Sequence, residues 1–279
     1  MADSLHLPSL ASASDVPGLP GQLVPIARTE RLRRFLMQDR YANAYLIGKL
    51  DDLYQPFCRW WGVHDDAGLL RNVLLVYQGL SLPVVFAAGQ DSELPALLQQ
   101  SQSVLPKRFH FHVLESQMPM LRQHFMVQHY QRMHRMGLER SSWRRGPRDP
   151  RVEQLGHRDT AAIMDLYQHY PDHFFEPYQL ETGLYFGVRH PQLGLVSIAG
   201  VHVISEEYDV AVIGNLVTHP EARGERLATA CTSHLLDALF ERVSFVALNV
   251  QSNNQPAIRL YTNFGFKPNN IYYEGRCGY

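Results

Sequence analysis

Cysteine is scarce in this chain, and no apolar run is long. Cys58, Cys231 and Cys277 are the only three in 279 residues, far apart and without metal-ligand spacing. So odd and sparse a set excludes a disulfide framework and fits a reducing compartment. The most apolar stretch, Asn72 to Gly89, is interrupted by Gln78, Gly79, Ser81 and Pro83, whereas a membrane-spanning helix needs about 20 mostly apolar residues. Excess charge is missing too: 26 Lys and Arg stand against 27 Asp and Glu, a net charge of −1. That balance argues against a surface built to grip nucleic acid or anionic lipid. The 14 histidines are scattered, and the one His-x-x-x-His spacing, His169 to His173, contains Pro171. Proline breaks the helix that would aim both rings at one ion, so no metal site is expected.

What is present suits a packed core, with 45 % hydrophobic and 11 % aromatic residues. At about 150 residues per domain, the length suggests two domains. Residues 1–22 read as a flexible leader. Asp3, Asp15, Pro8, Pro17 and Pro20 leave neither a basic start nor an apolar core for a signal peptide, and a cytoplasmic location is expected. Residues 23–145 read as a small α/β domain. Leu32, Phe35, Leu36, Ala42, Leu46 and Leu50 space like one or two amphipathic helices. Strand-like runs follow at Val73–Tyr77 and Val84–Ala87, then a helix with Leu94, Leu97 and Leu98, then alternating Phe109, Phe111 and Val113. Trp60 and Trp61 read as apolar anchors.

Between Arg132 and Arg151 lie Arg135, Arg140, Arg144, Arg145 and Arg148, with Gly146, Pro147 and Pro150. This is either a nucleic-acid patch with Trp143 for stacking, or a strand with solvated arginines running into a linker. The overall charge balance favours the linker.

Residues 151–279 give a clearer order. A strand near Val152–Leu155 precedes a helix capped by Asp159 and running to about His169. Strands are expected at Leu184–Val188, Leu195–Val203 and Val210–Thr218, with Gly200 and Gly214 marking bulges or close approaches. Leu227, Cys231, Leu235 and Leu239 recur at four-residue steps, placing a long helix over Gly224–Glu241 with Cys231 in the core. Phe245–Val250 reads as a buried strand, Pro256–Phe264 as a short helix and Ile271–Glu274 as a last strand. Gly265 should end the short helix in the left-handed region, with Phe264 and Phe266 packed inward.

The segment Asn215–Thr229, NLVTHPEARGERLAT, is the informative one. A strand ends, His219-Pro220 turns, and Arg223-Gly224 leads into the long helix. Unpaired N–H groups and the positive end of the helix dipole then point one way, which suits a pyrophosphate. A second segment, Asn253-Asn254-Gln255-Pro256-Ala257-Ile258-Arg259-Leu260-Tyr261 followed by Phe264-Gly265-Phe266, comes after the next strand.

In this order and spacing the two segments resemble the GNAT superfamily of acyl-CoA-dependent N-acetyltransferases, over roughly Val152 to Gly275. The resemblance implies a mixed, mostly antiparallel sheet flanked by helices. It also makes the first domain a candidate divergent GNAT-like copy, since the outline is similar to glycine N-acyltransferase-like proteins. It implies acetyl-CoA or another short acyl-CoA as co-substrate and a small amine or peptide acceptor; composition excludes a membrane partner and charge balance argues against a nucleic-acid one, while a homo-oligomer stays open. Leu216, Val217 and Thr218 would pair with the pantetheine arm, the Val217 N–H serving the thioester oxygen. Arg223, Gly224, Glu225, Arg226, Leu227, Ala228 and Thr229 would wrap the pyrophosphate. Asn254 would contact the cofactor, and Tyr261 would protonate the departing thiolate.

Two positions depart from the family pattern. Arg226 stands where the loop usually has glycine, so the loop path differs or the guanidinium meets phosphate. Asn249 stands where some members carry a glutamate base. The base is then sought among Glu176, Glu181, His202 and His219. Glu176 and Glu181 lie beside Phe174, Phe175 and Tyr178, whose burial would raise a carboxyl pKa; surface carboxylates are the alternative. His202 reads more simply as a hydrogen-bonded sheet histidine and His219 as the start of a turn. The competing functions are a longer-chain N-acyltransferase, a CoA-binding sensor or scaffold without turnover, and nucleic-acid association through the arginine segment.

Overall fold

The computed structural model describes residues 21–90, 92–171 and 175–278, so most of the expected leader, together with His173 and Phe174, lies outside the described residues. Along the chain run β1 (Leu23–Pro25), α1 (Glu30–Met37), α2 (Arg40–Gly48), β2 (Cys58–His64), β3 (Leu70–Tyr77), β4 (Val84–Gly89), α3 (Leu94–Gln100), β5 (Phe109–Val113), α4 (Met118–His124) and β6 (Met126–Glu139). They are followed by β7 (Val152–Gln154), α5 (Thr160–Tyr167), β8 (Tyr185–His190), β9 (Gly194–Ser205), β10 (Val210–Thr218), α6 (Leu227–Phe240), β11 (Phe245–Gln251), α7 (Gln255–Phe264) and β12 (Lys267–Gly278). This is a mixed α/β fold with mostly antiparallel sheet and flanking helices.

Two compact units emerge: Met1–Gln38, Pro56–Tyr130 and Glu274–Tyr279 form the first, Asp39–Gln55 and Gln131–Tyr273 the second. The first carries strands in the order β1-β2-β3-β4-β5, flanked by the end of β12; the second carries β6-β11-β10-β9-β8-β7. Each has a run of antiparallel strands and then one parallel step bridged by a helix. In the first, Val84–Phe86 pair with His110–His112 across α3; in the second, Val210–Ile213 pair with Phe245–Leu248 across α6.

The periodic stretch Glu30–Leu50 is two helices because it contains two caps. Thr29 Oγ1 accepts from the Leu32 N–H at 3.3 Å, and Asp39 Oδ1 accepts from Ala42 N–H at 2.9 Å. α1 belongs to the first unit and α2 to the second. In the second unit, Leu235, Leu236 and Leu239 of α6 pack with Met136, Leu138, Val246 and Leu248. Ile163, Leu166 and Tyr167 of α5 pack with Tyr185, Ile198 and Val217.

Several local expectations need correction. Asp159 does not cap α5; its Oδ2 accepts from Gly156 N–H at 2.8 Å and its Oδ1 pairs with Arg189. α5 ends at Tyr167 rather than His169. α6 starts at Leu227 because Gly224 and Arg226 have φ of +88° and +61°. The arginine segment is not simply solvated. Arg135 is buried, Arg145 and Arg148 reach Asp237 at 3.5 and 3.4 Å, and Arg145 lies 5.0 Å from the Trp143 ring centre. Apart from Arg135, the arginines of the segment are exposed, as the solvated-linker reading expects. Gly265 ends α7 at φ 104°, with Phe264 and Phe266 buried as expected.

Gly200 and Gly214 mark close approaches. A Cβ on Gly200 would lie 2.2 Å from the Tyr185 ring, and one on Gly214 would lie 2.2 Å from His202. Tyr185 is held by hydrogen bonds to Gln179, Val201 and Asn215 and cannot step aside. Gly200→Ala should therefore lower stability by about 1–3 kcal/mol, read as a lower urea midpoint at unchanged slope.

Candidate functional site

The parallel pairing of β10 with β11 stops at Ile213 and Leu248, although the strands continue to Thr218 and Gln251. Beyond that point the strands separate like the arms of a fork. The cause is in β10. Gly214 and Val217, three apart, face Gly200 and Ile198, two apart, so one extra residue is inserted. Asn215 takes up the distortion with φ 54°. Its buried side chain is fully engaged: Oδ1 accepts from the Tyr167 hydroxyl at 2.8 Å, and Nδ2 donates to Tyr185 Oη at 2.7 Å and Gln179 Oε1 at 3.1 Å. Burial raises the pKa of both tyrosines, so they remain hydroxyl donors.

The fork bears on the roles expected for Leu216, Val217 and Thr218. The His219 N–H donates to Val196 O at 2.7 Å, and Val217 stands opposite Ile198 in the same register. Alternation in an antiparallel ladder then commits the Val217 N–H to β9. The main-chain groups of Leu216 and Thr218 face the side that β11 has left, which corrects the assignment of the oxyanion donor to Val217. The Thr218 carbonyl already accepts the Tyr170 hydroxyl, and Arg223 Nη2 donates to the same hydroxyl oxygen at 3.0 Å. Tyr170 thus ties the segment after α5 to the end of β10, a role the sequence did not signal.

Past the fork, Pro220–Ala222 form a 3-10 turn, with His219 Nδ1 accepting from Glu221 N–H at 3.3 Å. His169 packs edge-on against His219, ring centres 4.3 Å apart. From Gly224 to Thr229, six consecutive main-chain N–H groups have no acceptor among the described residues. Ala230, donating to Arg226 O at 3.1 Å, is the next to find one. Gly224, Glu225 and Arg226 are exposed and Ala228 and Thr229 half-buried, leaving the cradle open. Such a row at the positive end of a helix attracts a multiply charged anion. The corresponding turn of the first unit differs: Glu93 precedes α3, and Pro95 in its first turn has no N–H to offer.

Tyr261 on α7 is 7 % exposed, and burial pushes its phenol upward. No described residue hydrogen-bonds to its hydroxyl. Asn254 caps α7, its Oδ1 accepting from Ala257 N–H at 3.2 Å. Asn249 on β11 accepts from Arg135 Nε at 3.4 Å. Of the candidate bases, Glu176 is half-buried before the 3-10 turn Pro177–Thr182, whereas Glu181 is exposed on that turn. His202 Nδ1 lies 3.0 Å from Tyr45 Oη, in keeping with a sheet histidine.

A family model described as "Acetyltransferase (GNAT) family" matches residues 153–266. That region is a GNAT-family acetyltransferase domain. The GNAT fold extends over most of the chain. A Drosophila protein of solved structure aligns over 92 % of this chain and 98 % of its own at 10 % identity, TM-score 0.70. A GNAT-family protein from Novosphingobium aromaticivorans covers 74 % of this chain and 88 % of its own at 20 % identity, TM-score 0.53. A tandem GNAT protein from the clavulanic acid biosynthesis pathway covers 91 % and 97 % at 14 % identity, TM-score 0.53. No curated protein matches the chain. A GNAT domain supports acyl transfer from acyl-CoA. Among the described residues there is no group of metal-binding side chains and no helix long and apolar enough to cross a membrane.

Arg226 holds, at φ 61°, the left-handed conformation that glycine adopts without strain. A non-glycine residue there costs roughly 1–2 kcal/mol, part of which glycine returns through its freer unfolded chain. Arg226→Gly should raise stability by about 0.5–1 kcal/mol, read as a higher thermal midpoint in the absence of ligand.

Proposed function

We propose that the fork and the Gly224–Thr229 cradle hold acetyl-CoA, or another short acyl-CoA, and that the chain passes the acyl group directly to an amine of a small molecule or peptide. The carrying observation is the row of six unsatisfied N–H groups at the start of α6, which matches a diphosphate in charge and donor count. Leu216 and Thr218 then offer main-chain partners to the pantetheine arm, with the Leu216 N–H turned to the thioester oxygen. A fixed donor there stabilises the oxyanion that forms as the amine attacks.

The acceptor must reach the carbonyl as a free amine, because an ammonium has no lone pair. Asn249 cannot take the proton; half-buried Glu176, directly or through water, is the carboxylate offered for it. As the tetrahedral intermediate collapses, the carbon–sulfur bond breaks and the Tyr261 O–H donates to the leaving sulfur. A phenol held protonated by burial is suited to that step. A cytoplasmic setting is supported by three buried free cysteines, of which Cys231 and Cys277 have thiols pushed up to about 12 by burial and so present little thiolate.

Two measurements test the proposal. Calorimetry should detect heat of association with CoA, and release of CoA thiol should follow addition of acetyl-CoA and an amine. Tyr261→Phe should lower turnover by about 100-fold without lowering the thermal midpoint, because the hydroxyl it removes has no protein partner. CoA binding without thiol release from any amine tried would leave a CoA-binding protein instead, a reading for which the missing carboxylate at Asn249 is the motive. Absence of CoA binding would remove both.

A further inference from the structure

Arg135 is a buried charge that the proposed transfer leaves unused. It lies on β6 and is 8 % exposed. Its Nε donates to Asn249 Oδ1 at 3.4 Å, its Nη1 to the Ala42 carbonyl, and its guanidinium carbon lies 4.5 Å from the Tyr272 ring centre. All three partners are neutral. Arg40 of the same unit, by contrast, reaches Glu139 at 3.8 Å and Asp209 at 3.7 Å, and Arg145 and Arg148 share Asp237. No carboxylate among the described residues forms an ion pair with Arg135. Its Nη2 has no protein partner, yet it is not among the polar atoms that are both sealed from solvent and unpartnered. The outer edge of the guanidinium therefore opens onto accessible space.

The position adds to this. In the β6–β11 register Arg135 stands opposite Asn249, the first residue of β11 beyond the last one paired with β10. The main chain of Arg135 is thus one strand, about 5 Å, from the root of the fork, and its Nε reaches the Asn249 side chain there. A cation taken out of water without a counter-ion costs several kcal/mol, and neutral hydrogen bonds and a ring face recover only part of it. A planar donor left open beside a binding cleft is matched by a carboxylate, which accepts two parallel N–H bonds.

Resting on the acyl-transfer reading above, we infer that Arg135 receives a carboxylate carried by one of the two substrates. That carboxylate belongs either to the acceptor amine or to the far end of the acyl group, since both converge on the fork. Thiol release separates the sources through two matched pairs: an amino acid against its carboxamide with acetyl-CoA, and succinyl-CoA against acetyl-CoA with the carboxamide as acceptor.

In one pair the carboxylated member should have the higher kcat/KM by about tenfold or more. Arg135→Gln should bring that ratio close to one, and Arg135→Lys should keep part of it. A merely structural Arg135 would lower both members of a pair alike and leave the ratio intact. CoA calorimetry on each variant reports whether the fold survives; if Arg135→Gln does not fold, the wild-type ratios and the lysine variant decide. Turnover with no preference in either pair, or a preference that survives Arg135→Gln, overturns the inference and leaves acyl transfer standing. No CoA heat and no turnover with any pair overturns both.

Discussion

Two parallel strands that part while still extended impose the governing constraint on this molecule. Main-chain N–H and C=O groups that leave a sheet must find other partners, and burying them unsatisfied costs free energy comparable to a lost hydrogen bond. β10 and β11 leave one another after Ile213 and Leu248; of the groups turned to that side, the Thr218 carbonyl takes the Tyr170 hydroxyl and the others have no ladder partner on β11. The separation is held by side chains rather than by the ladder. Asn215 sits in the left-handed region because Tyr167, Tyr185 and Gln179 satisfy its amide completely. A buried polar network of this kind is worth more intact than its separate bonds suggest, and is costly when partly satisfied. The same network connects β10 to α5 and to the turn containing Gln179, so the cleft wall and its support form one unit.

The cradle beyond the fork follows a second economy of main-chain groups. A helix start normally satisfies some of its first N–H groups with a capping side chain. α6 does not: Arg226 occupies the cap position and offers no side-chain acceptor. Compare α2 and α7, where Asp39 and Asn254 fill that role. Of the two helix starts that follow the arms of the fork, the one after β10 is left uncapped and the one after β11 is capped.

Much of this could be read from residues alone, and the reasons differ by element. The four-residue recurrence of Leu227, Cys231, Leu235 and Leu239 located α6 because a buried helix face repeats at that spacing. Its first three residues were misplaced, since apolar periodicity is blind to the positive φ values at Gly224 and Arg226. Arg-Gly before a helix pointed to the stretch whose main-chain N–H groups are left without acceptors among the described residues. The ladder parity that removes Val217 as a donor depends on how β10 pairs with β9, which no local pattern encodes. Tyr170 and Arg135 stayed hidden for a similar reason: a tyrosine just past a helix and an arginine in a basic stretch look ordinary until their distant partners are known. Asn215 stood in the informative segment, but its importance lies in contacts with residues from three other segments. Asp159 misled because it looks like a cap and is instead drawn back to Gly156 and across to Arg189.

The two units are interleaved along the chain. The unit that carries the fork takes α2 from Asp39–Gln55 and most of β6 from the segment that starts at Gln131, while the last residues of β12 belong to the other unit. A fragment beginning at residue 151 would retain the cradle, Tyr261 and Asn254, yet it would expose the edge of β11 that β6 covers and would lack Arg135 altogether. Units so interleaved cannot be divided at a single peptide bond, and truncations that look natural on a linear map would remove part of the sheet they are meant to isolate.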